Sequence, residues 1–241
     1  MSLPLNYPPH PPLSPATTAL VVFSGGQDST TCLHYALRHF PAGVEAVFFD
    51  YGQRHLCEKE SALLIAKRNQ IKLHIHNIPF FSELGGNALT RPEIAIEQKE
   101  QTLPTTFVPG RNLVFLTLAA SLAYTLKISH LVTGVCQTDF SGYPDCRQNT
   151  LNLLQETLNA GMEYSFTLHT PLMYLTKAQT VQLAHELGPQ SFADLSFTHT
   201  CYEGHFPPCG LCPACLLRAK GFQEAGLPDP LLERALKQAK S

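Results

Sequence analysis

Short apolar runs alternate along this chain with stretches whose apolar residues recur every three or four positions. Ala19 to Phe23 is such a run, and Thr30 to Phe40 behind it reads as a helix starting near Ser29. Val44 to Asp50, β-branched and aromatic, reads as a second strand, Arg54 to Asn69 as a helix and Ile71 to Ile78 as a third strand. A loop-rich stretch from Pro79 to Gly110 follows, and loops of that length commonly form lids or substrate-binding excursions. Asn112 to Lys127 then reads as a helix with a broad apolar face and His130 to Val135 as a buried strand. A helix from Asp145 to Asn159, a short strand at Phe166 to His169 and a helix from Lys177 to Leu187 capped by Gly188 complete the alternation. This rhythm predicts an α/β fold with a doubly wound, mostly parallel sheet, whose ligands sit beyond the carboxyl ends of the strands. The segments just after Phe23, Asp50 and Val135 are therefore the ones to inspect.

The 241 residues suffice for one α/β domain with a modest appendage. We divide them into a proline-rich arm over 1–17, a nucleotide-binding domain over 18–190 and a cysteine-bearing region over 191–241. A net charge of −2 with scattered Lys and Arg gives no basic stripe, so a nucleic-acid partner is not expected. No uninterrupted apolar stretch approaches membrane-spanning length. The first fifteen residues hold six prolines and neither Lys nor Arg, a composition that fits no secretory or transit signal. The cytoplasm is thus the expected compartment, where eight cysteines are thiols or metal ligands rather than disulfides.

Ser24 to Ser29, Ser-Gly-Gly-Gln-Asp-Ser, joins the first strand to the first helix. Adjacent glycines let successive N–H groups converge on one point, and the helix N-terminus adds partial positive charge there. Ser24 and Ser29 offer hydroxyls to the same anion. An ordinary strand-to-helix turn with a serine or aspartate cap is the plain alternative, but the strand before, the helix after and the hydroxyls at both ends favour nucleotide binding. No Walker-type lysine motif occurs in the chain. Asp28 would repel phosphate unless it partners Mg²⁺ or the loop amides.

Cys201, Cys209, Cys212 and Cys215 are spaced C-x7-C-x2-C-x2-C. Four thiolates close a tetrahedron around Zn²⁺, and an iron–sulfur cluster is the rival occupant. The fourth cysteine lies upstream at a long spacing, which favours zinc. Elsewhere, Asp50 at a strand end is placed to meet adenine or ribose, or to cap the next helix. Arg111 can grip a carboxylate or phosphate bidentately, or sit solvated in a first turn. Asp139, Tyr143, Asp145 and Arg147 together suit a flat heterocycle or a metal, and Lys177 is placed to neutralise charge on an α-phosphate or to lie on a helix surface. His34, His74, His76 and His185 show no ligand pairing and receive no role.

The hexapeptide resembles the pyrophosphate loop of the ATP pyrophosphatase superfamily, enzymes that cleave ATP between its α and β phosphates. Phe23 to Leu33, Phe49 to His55, Thr106 to Asn112 and Thr133 to Arg147 resemble, block by block and in order, the QueC family of queuosine biosynthesis, the 7-cyano-7-deazaguanine synthases. The resemblance runs from about Leu20 to Gly221. It implies an adenine nucleotide alpha hydrolase-like, Rossmann-like domain followed by a small zinc-binding helical segment. It carries the ATP site to Phe23, Ser24, Gly25, Gly26, Gln27, Asp28, Ser29, Thr30, Thr31, Cys32 and Leu33, with Asp50 and Gly134 beside it. Asp28, Arg111 and Lys177 are the residues expected to carry the chemistry. The resemblance further implies one structural zinc per subunit on the four cysteines, Mg²⁺ with ATP, and a homodimer. The implied substrates are 7-carboxy-7-deazaguanine, ATP and free ammonium, since no glutaminase domain is visible and Cys136 is a poor candidate nucleophile. A tRNA-modifying superfamily member, thiolating or lysinylating a base, and a zinc-stapled ATP-binding regulator without catalysis are the rival readings.

Overall fold

The computed structural model describes residues 14, 16–53, 57–91, 93–96, 103–137 and 143–239. Arg54, His55, Asp139 and nearly all of the proline-rich arm lie outside the described residues.

β1 (Thr18–Val22) is the centre of a five-stranded sheet with β2 (Gly43–Asp50), β3 (Lys72–Asn77), β4 (His130–Val132) and β5 (Thr167–His169). The order is β3-β2-β1-β4-β5 and every pairing is parallel, Leu20 lying between Glu45 and Leu131. From β1 the chain steps outward to β3, then crosses back to β4 on the other side. The crevice between the carboxyl ends of β1 and β4 is thus a topological switch point, the place where open α/β sheets receive ligands.

Side chains alternate across β1, so both faces of the sheet are buried and the strand reads as an unbroken apolar run. Ala19, Val21 and Phe23 face α1 (Gln27–His39), α2 (Cys57–Arg68) and α6 (Lys177–Glu186), packing with Leu33, Ile65 and Leu183. Leu20, with Val47 and Phe49 of β2, faces α4 (Arg111–Leu126) and α5 (Gln148–Met162). Ala119, Ala120 and Ala123 give α4 a narrow face that lets it lie close on the sheet.

Several boundaries differ from the sequence expectation. α1 starts at Gln27, because Gly26 caps it, so Gln27 to Ser29 form its first turn instead of a loop. β4 stops at Val132, three residues early. There Gly134 backs onto the start of α1, where a Cβ would meet the Ser29 nitrogen at 3.1 Å, and the strand leaves the ladder. The helix expected from Asp145 begins only at Gln148, after a 3₁₀ turn over Pro144–Cys146. The Asp145 carboxylate is drawn across to α4, accepting the Asn112 backbone N–H at 3.0 Å in place of a cap from Gly110.

After α6 come α7 (Pro189–Asp194), a 3₁₀ turn over Leu195–Phe197, α8 (Pro213–Ala225) and α9 (Pro230–Gln238). Val181 and Ala184 of α6 share a core with Leu195 and Phe222, which seats this region on the main sheet. Asp194, fully buried, is held by His34 at 3.0 Å, Arg68 at 2.6 Å and Asn69 at 2.6 Å, fastening α7 to α1 and α2. Against burial, which raises it, these three partners hold its carboxyl below the ordinary range. Among the described residues no helix is long and apolar enough to cross a membrane.

Candidate active site

A cavity of about 340 Å³ opens at the switch point, with the Ser24 to Ser29 loop as its floor. The loop is braced from within. Ser24 and Ser29 hydroxyls lie 3.0 Å apart, the Ser29 Oγ accepts the Ser24 N–H at 3.2 Å, and the Ser29 hydroxyl donates to the Gly26 carbonyl at 3.1 Å. Gly25 has φ +78°, and a Cβ there would stand 2.6 Å from the Glu58 carbonyl oxygen and 2.7 Å from the Ala62 nitrogen. Only glycine lets the loop press this closely on α2.

No side chain caps α1, so its first-turn N–H groups and its partial positive charge face the cavity. Gln27 lines the same space, and its side-chain amide Nε2 is buried with no hydrogen-bond partner among the described residues. A buried donor left unpaired costs about 1–3 kcal/mol, which a bound acceptor would recover.

Asp28 and Lys177 meet here. Lys177, the first residue of α6, donates to both Asp28 oxygens, at 3.0 and 2.7 Å. The carboxylate that was expected to partner Mg²⁺ or loop amides therefore faces a lysine, because the capping box of Thr176 and Gln179 starts α6 directly opposite α1. Gly221 of α8 makes room for the lysine stem, since a Cβ there would meet Lys177 Cγ at 2.6 Å.

Arg111, the first residue of α4, lines the same cavity. Its Nη1 donates to the Tyr51 hydroxyl at 3.3 Å, and its guanidinium sits 5.6 Å from the Tyr51 ring centre. Burial disfavours its charge, yet Tyr51, Tyr143, Asp145 and Glu58 around it raise its pKa. No ion pair holds it among the described residues. Glu58, from the first turn of α2, lines the cavity between this arginine and the loop. Burial pushes its carboxyl up to about 7, with Arg111 opposing. Burial likewise pushes Tyr51 up to about 12 and raises Tyr143 and Tyr202, so these phenols stay protonated donors.

Of the residues expected to bind nucleotide, Phe23, Ser24, Gly26, Gln27, Asp28, Ser29 and Gly134 line the cavity. Gly25 shapes the loop from behind. Thr30, Thr31, Cys32 and Leu33 lie on buried positions of α1 and do not line the cavity. Their place is structural, Cys32 donating to the Thr133 carbonyl at 3.5 Å. The Asp50 carboxylate accepts Lys59 at 3.1 Å, and it is Val47, Phe48 and Phe49 of β2 that line the cavity. Tyr143 reaches the cavity and bonds the Thr106 hydroxyl at 2.7 Å, Asp145 serves α4, and Arg147 is not a lining residue. Within the expected lid region, Leu89 lines the cavity and Phe81 and Val108 pack with Tyr51. Glu58 and Tyr202 were not foreseen. Nothing in sequence separates Glu58 from any first-turn helix glutamate.

The four-cysteine segment forms another wall. Sγ atoms of Cys201, Cys209, Cys212 and Cys215 all lie within 4.8 Å of one another, with Cys209 and Cys215 at 3.9 Å. A tetrahedral ion with bonds of about 2.3 Å needs sulfurs about 3.8 Å apart, so a single ion fits and a four-iron cube would need them spread wider. Backbone N–H groups of Leu211 and Cys212 donate to Cys209 Sγ at 3.4 and 3.3 Å and hold that thiol down at about 6, ready to ligate as thiolate. The segment grips the loop through the His199 N–H, which donates to the Gly25 carbonyl at 3.1 Å. It also inserts Tyr202, next to a cysteine of the cluster, into the cavity. Arg218, buried, orients it by donating to Thr198 and Thr200 hydroxyls at 2.8 and 3.0 Å while paired with Asp229 at 2.7 Å.

A parallel switch-point sheet, a glycine-braced loop on a helix N-terminus and four clustered cysteines that could hold a metal are the features of a nucleotide-using α/β enzyme. The sequence model for the family described as queuosine biosynthesis protein QueC matches residues 18–226, and the chain belongs to that family. It is 58% identical over 225 residues to the 7-cyano-7-deazaguanine synthase of Chromobacterium violaceum, covering 92% of this chain and 95% of that protein. The Bacillus subtilis protein of the same name is 53% identical over 207 residues, 86% of this chain and 94% of that one. Among solved structures, an NH3-dependent NAD synthetase from Campylobacter jejuni aligns with TM-score 0.43 and 15% identity over 89% of this chain and 85% of that one. A predicted subunit of tRNA methyltransferase from Methanocaldococcus jannaschii aligns with TM-score 0.45 and 15% identity over 71% and 74%.

Proposed function

We propose that this chain converts 7-carboxy-7-deazaguanine, ammonia and ATP into 7-cyano-7-deazaguanine, AMP and pyrophosphate being released at each of two activations. Family membership supports the reaction. The observation that carries the assignment of roles is one cavity lined both by an uncapped, glycine-braced helix N-terminus and by a half-buried arginine without an ion pair among the described residues.

A carboxylate resists ammonia until its oxygen becomes part of a leaving group. Arg111 fixes the acid by a bidentate contact, turning one oxygen toward the α-phosphate of ATP. The α1 N-terminus, the Gln27 amide and the Ser24 and Ser29 hydroxyls receive phosphate oxygens, and Lys177 divides its charge between Asp28 and the α-phosphate. These donors stabilise the charge that grows on departing pyrophosphate, the electrostatic term that dominates such transfers. Ammonia displaces AMP to give the amide, and a second adenylation on the amide oxygen allows AMP to leave with C≡N formation.

Cys201, Cys209, Cys212 and Cys215 hold one Zn²⁺, which closes the 198–215 segment around four thiolates and leaves no position for substrate. Mg²⁺ entering with ATP would supply charge neutralisation to its phosphates, and Asp28 is the carboxylate the loop would offer it. Residues 18–190 act as the ATP-binding domain and 191–241 as the zinc-binding region of a cytoplasmic homodimer that uses free ammonium and no nucleic acid.

Mass spectrometry of zinc-loaded protein with Mg-ATP, ammonium and 7-carboxy-7-deazaguanine is the test. Amide followed by nitrile is expected, and absence of both overturns the proposal. An Arg111→Met variant should raise KM for the acid by about 10²-fold, the loss of a charged bidentate contact. An unchanged KM would remove Arg111 from the acid site.

A further inference from the structure

Each carbon–nitrogen step of this reaction releases a proton from nitrogen, and none of the roles above receives it. Lys177 and Arg111 are cations and Asp28 is bonded to Lys177 through both oxygens. The phenols of Tyr51, Tyr143 and Tyr202 are held protonated by burial. One carboxylate facing the cavity remains. Glu58 lies on the first turn of α2, whose backbone touches the phosphate loop at Gly25, and its charge is felt by Arg111 of the same cavity. No hydrogen bond or ion pair occupies its carboxylate among the described residues. Glu58 thus lines one cavity with the phosphate loop and the acid-holding arginine, the space that the acyl carbon, the α-phosphate and the incoming nitrogen share under this reading.

We infer that Glu58 is the proton acceptor for both carbon–nitrogen steps. In amide formation the nitrogen lone pair attacks the acyl carbon, the C–O bond to AMP breaks with its electron pair on AMP, and one N–H proton passes to the Glu58 carboxylate. In nitrile formation the amide oxygen attacks the α-phosphate, pyrophosphate leaves and one N–H proton passes to water, giving the adenylated amide R–C(=NH)–O–AMP, which then gives its remaining N–H proton to Glu58 as the third C–N bond forms and AMP leaves with the C–O electron pair. Between steps the carboxylic acid returns its proton to water through the open cavity. A carboxyl that titrates at about 7 suits this exchange near neutral pH, because it neither holds the proton nor refuses it. The other titratable groups lining that space are Asp28 from α1, Tyr51 after β2, Arg111 from α4, Cys136, Tyr143, Cys146, His199 and Tyr202 from the segments between helices and strands, Lys177 from α6 and Arg218 from α8.

This inference rests on the reading that Arg111 receives the acid, and the test separates the two. Wild type and Glu58→Gln are compared in single turnovers starting from the amide with Mg-ATP, and in pyrophosphate–ATP exchange with 7-carboxy-7-deazaguanine lacking ammonium. Nitrile formation should fall about 10²- to 10⁴-fold in Glu58→Gln, while exchange stays within about threefold of wild type. The wild-type nitrile rate should rise with pH and level off above about 7, a limb that Glu58→Gln lacks and Glu58→Asp keeps at a displaced pH. Parallel loss of exchange and nitrile formation would make Glu58 a binding group, and a retained limb in Glu58→Gln would assign the titration elsewhere; either overturns the inference. If Glu58→Gln fails to fold, the displaced limb of Glu58→Asp decides, an undisplaced one refuting it. Failure of the Arg111 reading appears separately, as an unchanged acid KM in Arg111→Met.

Discussion

Gly25 and Gly26 are neighbours of the same type, yet only one of them is irreplaceable for folding. At Gly25, φ is +78°, a region where an L side chain costs about 1–2 kcal/mol. A Cβ would also stand 2.6 Å from the Glu58 oxygen and 2.7 Å from the Ala62 nitrogen, both backbone atoms of a helix packed on the sheet. Relieving that contact means separating loop from α2 by more than half an ångström, an overpacking strain of about 1–3 kcal/mol. Gly25→Ala should therefore lose about 2–5 kcal/mol, a large share of the roughly 5–15 kcal/mol typical of a domain. At Gly26 the backbone is ordinary, φ −81°, and a Cβ would meet only the Ser24 hydroxyl at 3.4 Å and the His199 oxygen at 3.5 Å. Gly26→Ala should cost less than about 1 kcal/mol in stability. Urea unfolding of both zinc-loaded variants, read by circular dichroism, gives the two numbers. Equal destabilisation, or less than about 1 kcal/mol at Gly25, would refute the claim that the loop is pressed against α2.

Asp28→Ala should abolish AMP release, which chromatography of the nucleotides measures, while leaving the melting temperature within a few degrees because the pair with Lys177 is only partly buried. Stripping the metal with a chelator should expose the 198–215 segment to proteolysis and weaken nucleotide binding through the lost His199 contact to Gly25, and Cys209→Ser should lower soluble yield. Unchanged cleavage patterns would argue against a metal staple. For Glu58 the folded-state pKa is raised from 4.5 to about 7, so the folded protein is penalised for ionising it. That penalty is absent below about 4.5, grows as pH rises and is complete above about 7. At about 1.4 kcal/mol per pH unit its ceiling is about 3 kcal/mol, and cavity water reduces it to about 1–2. Glu58→Gln should thus match wild-type stability near pH 4.5 and exceed it at pH 8 in parallel urea titrations.

The chain's own pattern determined the α/β class, the parallel sheet, the loop and the four-cysteine site. Those features are local: strand runs, a Gly-Gly turn before a helix and C-x2-C spacings carry their physics within a few residues. Helix and strand ends were less legible, because α4 is capped by Asp145 from 33 residues away and β4 ends where Gly134 meets α1. The pairing of Asp28 with Lys177 spans 149 residues, and no spacing rule foretells it. The contact of Asp50 with Lys59 of α2 is likewise set by packing. Glu58 and Tyr202 became cavity residues only because α2 touches the loop at Gly25 and the cysteine segment folds back over it. Sequence fixes which chemical groups a segment can offer, whereas burial and long-range packing decide which of them face one another and what charge they hold there.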